Sequence, residues 1–286
     1  MAIHFAPRLA NNGFAQFVTP EWQMVPVGGT RELILSNVGT LMPRVANSAF
    51  LTVTQRPAGH HRLLLTLTGV AAGLTSVEWF PTVTTLGPAS PGFQLDVSVK
   101  DEKRVSTAFF YVDDGHVQKT TRRVADLDAM LVRVNRILTP QANVVLVKRS
   151  AAALPVAKNM GRVVRFAQHL TGPPNNVPAA EDDWADLVAL RDASADFNVF
   201  FVKEYEQDMT PNHDDADAGT IASDKMTVFE DNNGNDPVAE LAHEFVHGLG
   251  VAPHESNAMF LMATGAHGIG RLLTRTEMDI INPSGT

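Results

Sequence analysis

The most informative segment reads Asp236-Pro-Val-Ala-Glu-Leu-Ala-His243-Glu244-Phe-Val-His247-Gly-Leu-Gly250-Val-Ala-Pro253-His254. It contains the pattern His-Glu-x-x-His. Residues four apart lie on one face of a helix, so His243 and His247 can direct both imidazoles at one point. Two neutral imidazoles suit a zinc ion, and Glu244 is placed to polarise a metal-bound water rather than to bind the metal. The segment therefore predicts a metal site built on a helix.

The flanking residues favour a helix with a defined start and end. Asp236 is a good N-cap and Pro237 fits the first helical position. Gly248 and Gly250 allow the chain to stop and turn. Three large apolar residues recur at helical spacing and predict a face that packs inward: Leu241, Phe245 and Leu249.

A zinc site of this kind needs a third protein ligand and an open position for water. His254, just past the glycine turn, is the first candidate, and the alternatives are His267 or an acidic residue, Glu255 or Glu277. The competing interpretation of the whole segment is an amphipathic helix with two hydrogen-bonded histidines and a surface glutamate.

The segment resembles the metzincin clan of zinc metalloproteases, whose pattern is H-E-x-x-H-x-x-G-x-x-H followed by a Met-turn. Four positions match: His243, Glu244, His247 and Gly250. The clan places its third histidine where this chain has Pro253, and His254 comes one residue later. A loop after the glycine is not locked to helical register, so it can accommodate one extra residue.

The downstream sequence extends the resemblance. Asn257–Gly265 is similar to the Met-turn, with Met262 as its methionine at a spacing like that of the matrixin branch and Met259 as the rival. Residues 271–282 resemble the closing helix of the clan, and Thr274 with Glu277 predicts a capping box. No tyrosine follows the Met-turn, unlike some branches of the clan.

Composition narrows the possible partners. The chain has 286 residues, a formal net charge of −8 and no cysteine, which excludes disulfides and cysteine-ligated zinc. Residues 1–100 hold six basic and four acidic residues, so the negative charge is concentrated in residues 101–286. An acidic half that carries the motif argues against nucleic acid as a partner.

The sequence is not expected to contain a membrane span or a secretory signal. No apolar stretch approaches the length of a membrane span, and the first residues lack the basic and apolar regions of a secretory signal. Action in the cytoplasm and export by a non-classical route both stay open, and the sequence does not indicate an oligomeric state.

Residues 21–100 have the character of an all-β region. Short apolar runs separated by Gly and Pro predict strands, among them Glu32–Ser36, Ala49–Thr54, Arg62–Thr68, Ser76–Phe80 and Phe93–Val99. Their spacing, with no helical period, favours an antiparallel sandwich. A charge cluster at Lys100–Arg104 marks the predicted boundary between an N-terminal sandwich-like domain, 1–103, and a second domain, 104–286.

The second domain begins with a strand at Val105–Val112, an amphipathic helix from Val124 that ends before Pro140, and a strand at Asn143–Lys148. Strand, helix, strand predicts a parallel pair. A short helix near Asp182–Arg191 and a buried strand at Phe197–Val202 follow. The fold class is therefore α+β.

An acidic segment, Gln207–Ala222, precedes the metal motif. It favours a solvated loop, with calcium or a second zinc (through His213) as alternatives, because carboxylates are the ligands that calcium prefers. Asp231–Asp236 is likewise a turn in which calcium is the alternative. In the resembled clan an edge strand pairs with the substrate backbone, and the resemblance places that strand, as the substrate-binding segment, at Gly219, Thr220, Ile221 and Ala222.

The resemblance implies a zinc-dependent endopeptidase acting on a protein or peptide. It implies Zn²⁺ held by His243, His247 and His254, with Glu244 as general base, and a twisted, mostly parallel sheet above the motif helix. The alternative is a non-catalytic binding or delivery protein that carries a degenerate version of this scaffold, which the displaced third histidine favours. Retention of Glu244 argues against it.

Overall fold

The computed structural model describes residues 4–8, 12–15, 18–37, 41–80, 92–161, 164–165, 183–206, 218–231, 236–263 and 270–284. It is a mixed structure of several sheets and few helices. Two compact units are present. The first comprises Met1–Lys103, Ile137–Val145 and Leu272–Thr286, and the second comprises Arg104–Arg136 and Leu146–Arg271. The division into domains 1–103 and 104–286 stays a prediction. Residues 137–145 and 272–286 belong to the first compact unit, although they follow the predicted boundary in sequence.

The strands that lie wholly in the described part of the first unit are β1 (His4–Pro7), β2 (Phe14–Ala15), β3 (Glu21–Pro26), β4 (Thr30–Ser36), β5 (Met42–Val45), β6 (Leu51–Pro57), β7 (Arg62–Gly69), β8 (Gly73–Phe80) and β9 (Phe93–Lys100). They form a four-stranded sheet of order β1-β4-β7-β6 and a five-stranded sheet of order β2-β3-β9-β8-β5. Both sheets contribute to one buried apolar cluster, with Leu33, Leu65 and Leu67 from the first sheet and Val77, Trp79 and Val97 from the second.

One strand pair in this unit differs from the prediction. β3 and β9 are parallel, with Glu21 opposite Leu95 and Val25 opposite Val99, whereas an antiparallel arrangement was expected throughout. Turn residues between neighbouring strands predict hairpins, but β3 and β9 lie about 70 residues apart in sequence, and a connection that long permits parallel pairing. Local turn signals do not report such a pair.

The C-terminal helix, α4, spans Arg275–Ile281 and is part of the first unit. Its predicted capping box is confirmed, since Thr274 accepts from the Glu277 N–H and the Glu277 side chain accepts from the Thr274 N–H. The fully buried ammonium of Lys100 donates to Asp279 Oδ1 at 2.7 Å and to the Asn282 carbonyl. Burial lowers the pKa of Lys100, and the bond to Asp279 opposes that shift.

The central sheet of the second unit has the order β11-β10-β13-β16-β15. Its strands and the helices and short strands around it are β10 (Lys103–Asp113), α1 (Leu127–Ala142), β11 (Val144–Pro155), β12 (Val164–Arg165), α2 (Trp184–Leu190), β13 (Phe197–Val202), β14 (Tyr205–Glu206), β15 (Ala218–Ile221), β16 (Met226–Glu230) and α3 (Pro237–Gly248). β10, β13 and β16 run parallel, and β15 lies antiparallel to β16 at one end of the order.

The predicted parallel pair of β10 and β11 is supported by bonds at both ends. The Lys103 N–H donates to the Asn143 carbonyl, and the Val156 N–H donates to the Asp113 carbonyl, so the strands run in one direction. The predicted end of α1 is wrong, because the helix continues through Pro140 to Ala142. Asn143, in the left-handed region at φ 54°, ends it.

Two smaller predictions concern the rest of this unit. The helix expected near Asp182–Arg191 is present as α2, and the buried strand expected at Phe197–Val202 is β13. None of the helices in the described part of the chain is both long and apolar enough to cross a membrane.

Candidate metal centre

The helix that carries the motif starts as the sequence predicts. The Asp236 side chain accepts from the Val238 N–H at 3.1 Å, and Pro237 occupies the first turn, where its missing N–H removes no helical bond. Arg271 and Arg133 donate to the same carboxylate at 2.7 and 3.4 Å. The helix therefore begins at a capping carboxylate that also pairs with two half-exposed arginines.

The inward face of α3 packs against its own sheet. Leu241 and Phe245 are fully buried, and the Phe245 ring meets the Phe197 ring of β13 edge to face at 5.3 Å. A Cβ at Gly248 would lie 2.3 Å from the Phe197 ring, so this glycine is required for close packing. Leu249, the third residue of the predicted face, is only half-buried.

The end of α3 is a Schellman motif built on Gly250, which has φ 104°. The Val251 N–H donates to the Val246 carbonyl at 3.3 Å, and the Gly250 N–H donates to the His247 carbonyl at 2.9 Å. Val246 and Val251 are both buried, as the apolar contact of this motif requires. The turn places the Val251 carbonyl beside the His247 ring.

Three histidine rings converge just after this turn. His247 Nε2 lies 3.0 Å from His243 Nε2 and 3.2 Å from His254 Nε2. The rings of His243 and His254 are nearly parallel, with centroids 5.3 Å apart, and the His247 ring is nearly perpendicular to both. The structure thus brings His254 to the helix pair although it comes one residue later than the resembled pattern requires.

Two of the rings are oriented by backbone carbonyls. His243 Nδ1 lies 2.7 Å from the Leu261 carbonyl, and His247 Nδ1 lies 2.6 Å from the Val251 carbonyl. A carbonyl oxygen only accepts, so each Nδ1 carries the proton and each Nε2 keeps its lone pair directed at the point of convergence. Histidines that bind a metal usually donate their other ring N–H to a carbonyl, a carboxylate or a water in this way.

The donor set fits a zinc ion. Ligands about 2.0–2.1 Å from a tetrahedral zinc lie about 3.3–3.4 Å from one another, close to the Nε2 separations found here. Within the described ranges, His243, His247 and His254 form the one group of three such side chains whose ligand atoms all lie within 4.8 Å of each other. The cluster is able to bind a metal.

The loop that carries His254 is held by its own backbone. The Glu255 N–H donates to the Met262 carbonyl at 2.7 Å, and Glu255 forms an isolated bridge with Ala263. Met262 is fully buried, whereas Met259 is 47% exposed, which favours Met262 as the methionine of the turn. Leu261, beside it, supplies the carbonyl that orients His243.

Glu244 is 6% exposed, and its carboxylate is bonded to the edge of the sheet. The Thr220 hydroxyl of β15 donates to Glu244 Oε2 at 2.6 Å. Of the predicted substrate-binding segment, Gly219, Thr220 and Ile221 lie in this strand, while Ala222 begins the short 3-10 turn Ala222–Asp224. Sequence reasoning missed the contact between Thr220 and Glu244, because nothing in the local pattern fixes which side chain of the strand faces the helix.

A partly buried arginine, Arg122, lies beside the end of β16. Arg122 donates to the Glu230 carbonyl at 2.6 Å and lies over the Phe229 ring at 4.6 Å. Burial lowers the pKa of Arg122, and the charges of Asp231 and Glu240 oppose that shift. A cation thus lies among the acidic groups at this end of the unit.

The other predicted ligands are not part of the cluster. Glu255 contributes its backbone to the loop, and Glu277 caps α4 in the first unit. His267, His213 and the acidic residues 207–217 lie outside the described residues, as does most of the Asp231–Asp236 turn. Asp231 itself accepts from the Thr120 hydroxyl at 2.5 Å.

Comparisons with known proteins give structural similarity at low scores. No protein-family profile matches the chain, and no curated protein matches it. One similar solved structure is a zinc-dependent peptidase from Methanocorpusculum labreanum, with 13% identity, a TM-score of 0.34, and coverage of 61% of this chain and 92% of that one. Another is metalloproteinase-II from Bacteroides fragilis, with 9% identity, a TM-score of 0.35, and coverage of 97% and 85%. Scores this low carry no argument about function.

Proposed function

We propose that this protein is a zinc-dependent endopeptidase of the metzincin type, with His243, His247 and His254 as zinc ligands and Glu244 as general base. One observation supports the proposal above the others. His247 Nε2 lies 3.0 and 3.2 Å from the Nε2 atoms of His243 and His254, close to the ligand separations of a tetrahedral zinc site, and backbone carbonyls orient two of the rings at Nδ1.

Zinc bound there would polarise the scissile carbonyl and make a neighbouring water acidic enough to attack at neutral pH. Glu244 accepts the proton of the attacking water and passes it to the leaving amine. Its neighbour on the helix, His243, is the nearest metal ligand in sequence, so base and ligand are carried by one rigid element. Met262, which is fully buried, directly follows Leu261, whose carbonyl orients His243.

The substrate of this proposal is a protein or peptide in an extended conformation. β15 occupies the end of the strand order, and a peptide that adds to such a strand gains backbone hydrogen bonds without needing a particular sequence. Gly219, Thr220 and Ile221 are the proposed substrate-binding residues. Nucleic acid is not a proposed partner, because the half of the chain that carries the site is acidic.

The alternative of a non-catalytic scaffold was motivated by the displaced third histidine. The placement of His254 Nε2 at 3.2 Å from His247 Nε2 favours the catalytic proposal. The retained and buried Glu244 favours it as well, because a glutamate in that position has no role in holding the metal.

The test measures metal content by mass spectrometry and casein cleavage on the same samples of wild type, Glu244→Ala, His254→Ala and Glu255→Ala. We expect about one zinc in wild type and Glu244→Ala, cleavage by wild type and Glu255→Ala, and loss of both zinc and cleavage in His254→Ala. Glu255→Ala is the matched control, since it removes an acidic side chain next to the proposed ligand.

Three results would contradict the proposal. Full zinc occupancy in His254→Ala would exclude the three-histidine site, and loss of zinc in Glu255→Ala would move the third ligand to that carboxylate. A wild-type protein that contains no zinc and cleaves nothing would favour the scaffold alternative.

A further inference from the structure

One hydrogen bond in the candidate centre has no part in holding a metal. The Thr220 hydroxyl donates to Glu244 Oε2 at 2.6 Å, within the range of a hydroxyl that donates to an ionised carboxylate. Glu244 is 6% exposed, so the bond lies largely out of water, where a hydrogen bond to a charged group is strong. It joins the edge strand to the proposed base directly.

The backbone around Thr220 is held by the neighbouring strand and by a buried ring. Thr220 is directly opposite Thr227 of β16, and the Thr227 hydroxyl donates to the Gly219 carbonyl at 2.9 Å. A Cβ at Gly219 would lie 2.3 Å from the hydroxyl of Tyr205, which is 1% exposed, so the strand rests against a buried ring. The position of the Thr220 hydroxyl is therefore set by the sheet.

Glu244 by itself has a flexible side chain. Its helix fixes the Cα–Cβ bond, but three further torsions decide where the carboxylate points. A general base must lie within hydrogen-bond reach of the proton it accepts, and an error of about 1 Å in placement can cost about a hundredfold in rate. One bond from a rigid strand to one carboxylate oxygen removes most of that freedom.

We propose that Thr220 is a positioning residue for the reaction, whose hydroxyl holds the carboxylate of Glu244 in the orientation that accepts the proton. This role rests on the proposed peptidase function and adds to it. The strand that would bind the substrate backbone is then also the element that orients the base, so substrate docking on β15 and alignment of Glu244 depend on the same residues.

The test compares Thr220→Val, which removes the hydroxyl and keeps the shape, with Thr220→Ser, which restores a hydroxyl. Zinc content, thermal midpoint, and kcat and KM on a fluorogenic peptide are measured for each, beside wild type and Glu244→Gln. We expect Thr220→Val to lower kcat about tenfold to a hundredfold, with zinc content unchanged. KM should change little, because the proposed docking of substrate on β15 uses backbone groups that the substitution keeps. Thr220→Ser should recover most of the kcat.

The matched control is Thr107→Val, which makes the same change at a buried threonine of β10 in the same sheet. The buried Thr107 hydroxyl donates to the Val105 carbonyl instead of to a residue of the site, so kcat should stay at the wild-type value. A loss of kcat in Thr107→Val equal to that in Thr220→Val would assign the effect to the sheet and overturn the proposal. Thr220→Ala repeats the test if the valine variant does not fold.

The remaining outcomes distinguish failure of the proposed Thr220 role from failure of the proposed peptidase function. Wild-type kcat in Thr220→Val, or equal impairment of the valine and serine variants, would overturn the role of Thr220 and leave the peptidase function intact. A wild-type protein without zinc, or cleavage that survives in Glu244→Gln, would overturn the proposed function itself and this role with it. A raised kcat in Thr220→Val would mean that the bond restrains the base, and would also overturn the proposal.

Discussion

Helix α3 and the loop from Gly250 to Ala263 supply the two parts of the candidate centre by different means. In the helix, His243 and His247 share a face because the helical repeat puts them there. In the loop, His254 reaches the same point because a Schellman turn and the bond from the Glu255 N–H to the Met262 carbonyl fold the chain back. Local spacing thus specifies two ligands, and tertiary contacts specify the third.

The two regions also depend on each other. The loop carbonyls of Val251 and Leu261 orient the rings of His247 and His243, so the helix contributes the histidines and the loop contributes their orientation. Neither region by itself forms the site. Variants that act on one region at a time should therefore show which contribution is larger.

The largest expected effect comes from removing a helix ligand. Loss of a group that hydrogen-bonds a metal ligand typically lowers metal affinity about 10–100-fold. We expect loss of a ligand itself, in His243→Ala, to lower zinc affinity about a thousandfold or more and to abolish cleavage. The cause is loss of a buried ligand that no other described side chain can replace. Zinc competition with a coloured chelator measures the affinity, and His116→Ala, a histidine outside the cluster, is the control. Stoichiometric tight zinc in His243→Ala would contradict the ligand assignment.

The next effect tests whether the loop geometry is particular to this chain. His254→Ala should lose tight zinc, and adding Pro253→His to it, which places a histidine at the clan's usual spacing, should not restore binding. The reason is that the fold of the loop presents residue 254, and not residue 253, to His247. The same zinc competition and a casein assay check both variants. Recovery of zinc and cleavage in the double variant would show that the loop adjusts to either spacing.

Sequence alone predicted the parts of this molecule that depend on local chemistry. The Asp236 cap, the helix over the motif, the capping box of Thr274 and Glu277, and many of the strands in both units follow from short patterns, whereas strands such as β1, β3 and β5 were not predicted. These features depend on residues within a few positions of each other, which is the range over which turn, cap and periodicity signals act.

Long-range features were missed for one shared reason. The parallel pairing of β3 with β9 and the bond from Thr220 to Glu244 depend on contacts between residues that are distant in sequence. The carbonyls of Val251 and Leu261 were the hardest groups to predict from the sequence. Every residue has a carbonyl, and no residue type identifies the two that orient a histidine. The candidate ligands were predictable, but the groups that orient them were not.

A smaller effect separates the two glycines at the end of α3. Gly248→Ala should cost about 1–3 kcal/mol in unfolding free energy, because its Cβ would overlap the Phe197 ring. Gly250→Ala should cost about 1–2 kcal/mol, because φ is 104° there, and should also weaken zinc binding by displacing the Val251 carbonyl. Urea unfolding of the metal-free proteins and zinc competition measure the two effects. Equal zinc affinities in both variants would mean that the turn does not orient His247.

The smallest expected effect is at the other end of the helix. Asp236→Ala removes the cap to the Val238 N–H and should cost about 1 kcal/mol in unfolding free energy. Asp236→Asn keeps a capping oxygen and loses the charge that pairs with Arg271 and Arg133, whose side chains are about half exposed. Exposed pairs contribute about 0–1 kcal/mol, so the asparagine variant should lie close to wild type, with zinc affinity unchanged in both. Urea unfolding of the three proteins decides this. If asparagine destabilises as much as alanine, then the arginine pairs and not the cap hold the start of α3, and the helix depends on tertiary contacts as much as the loop does.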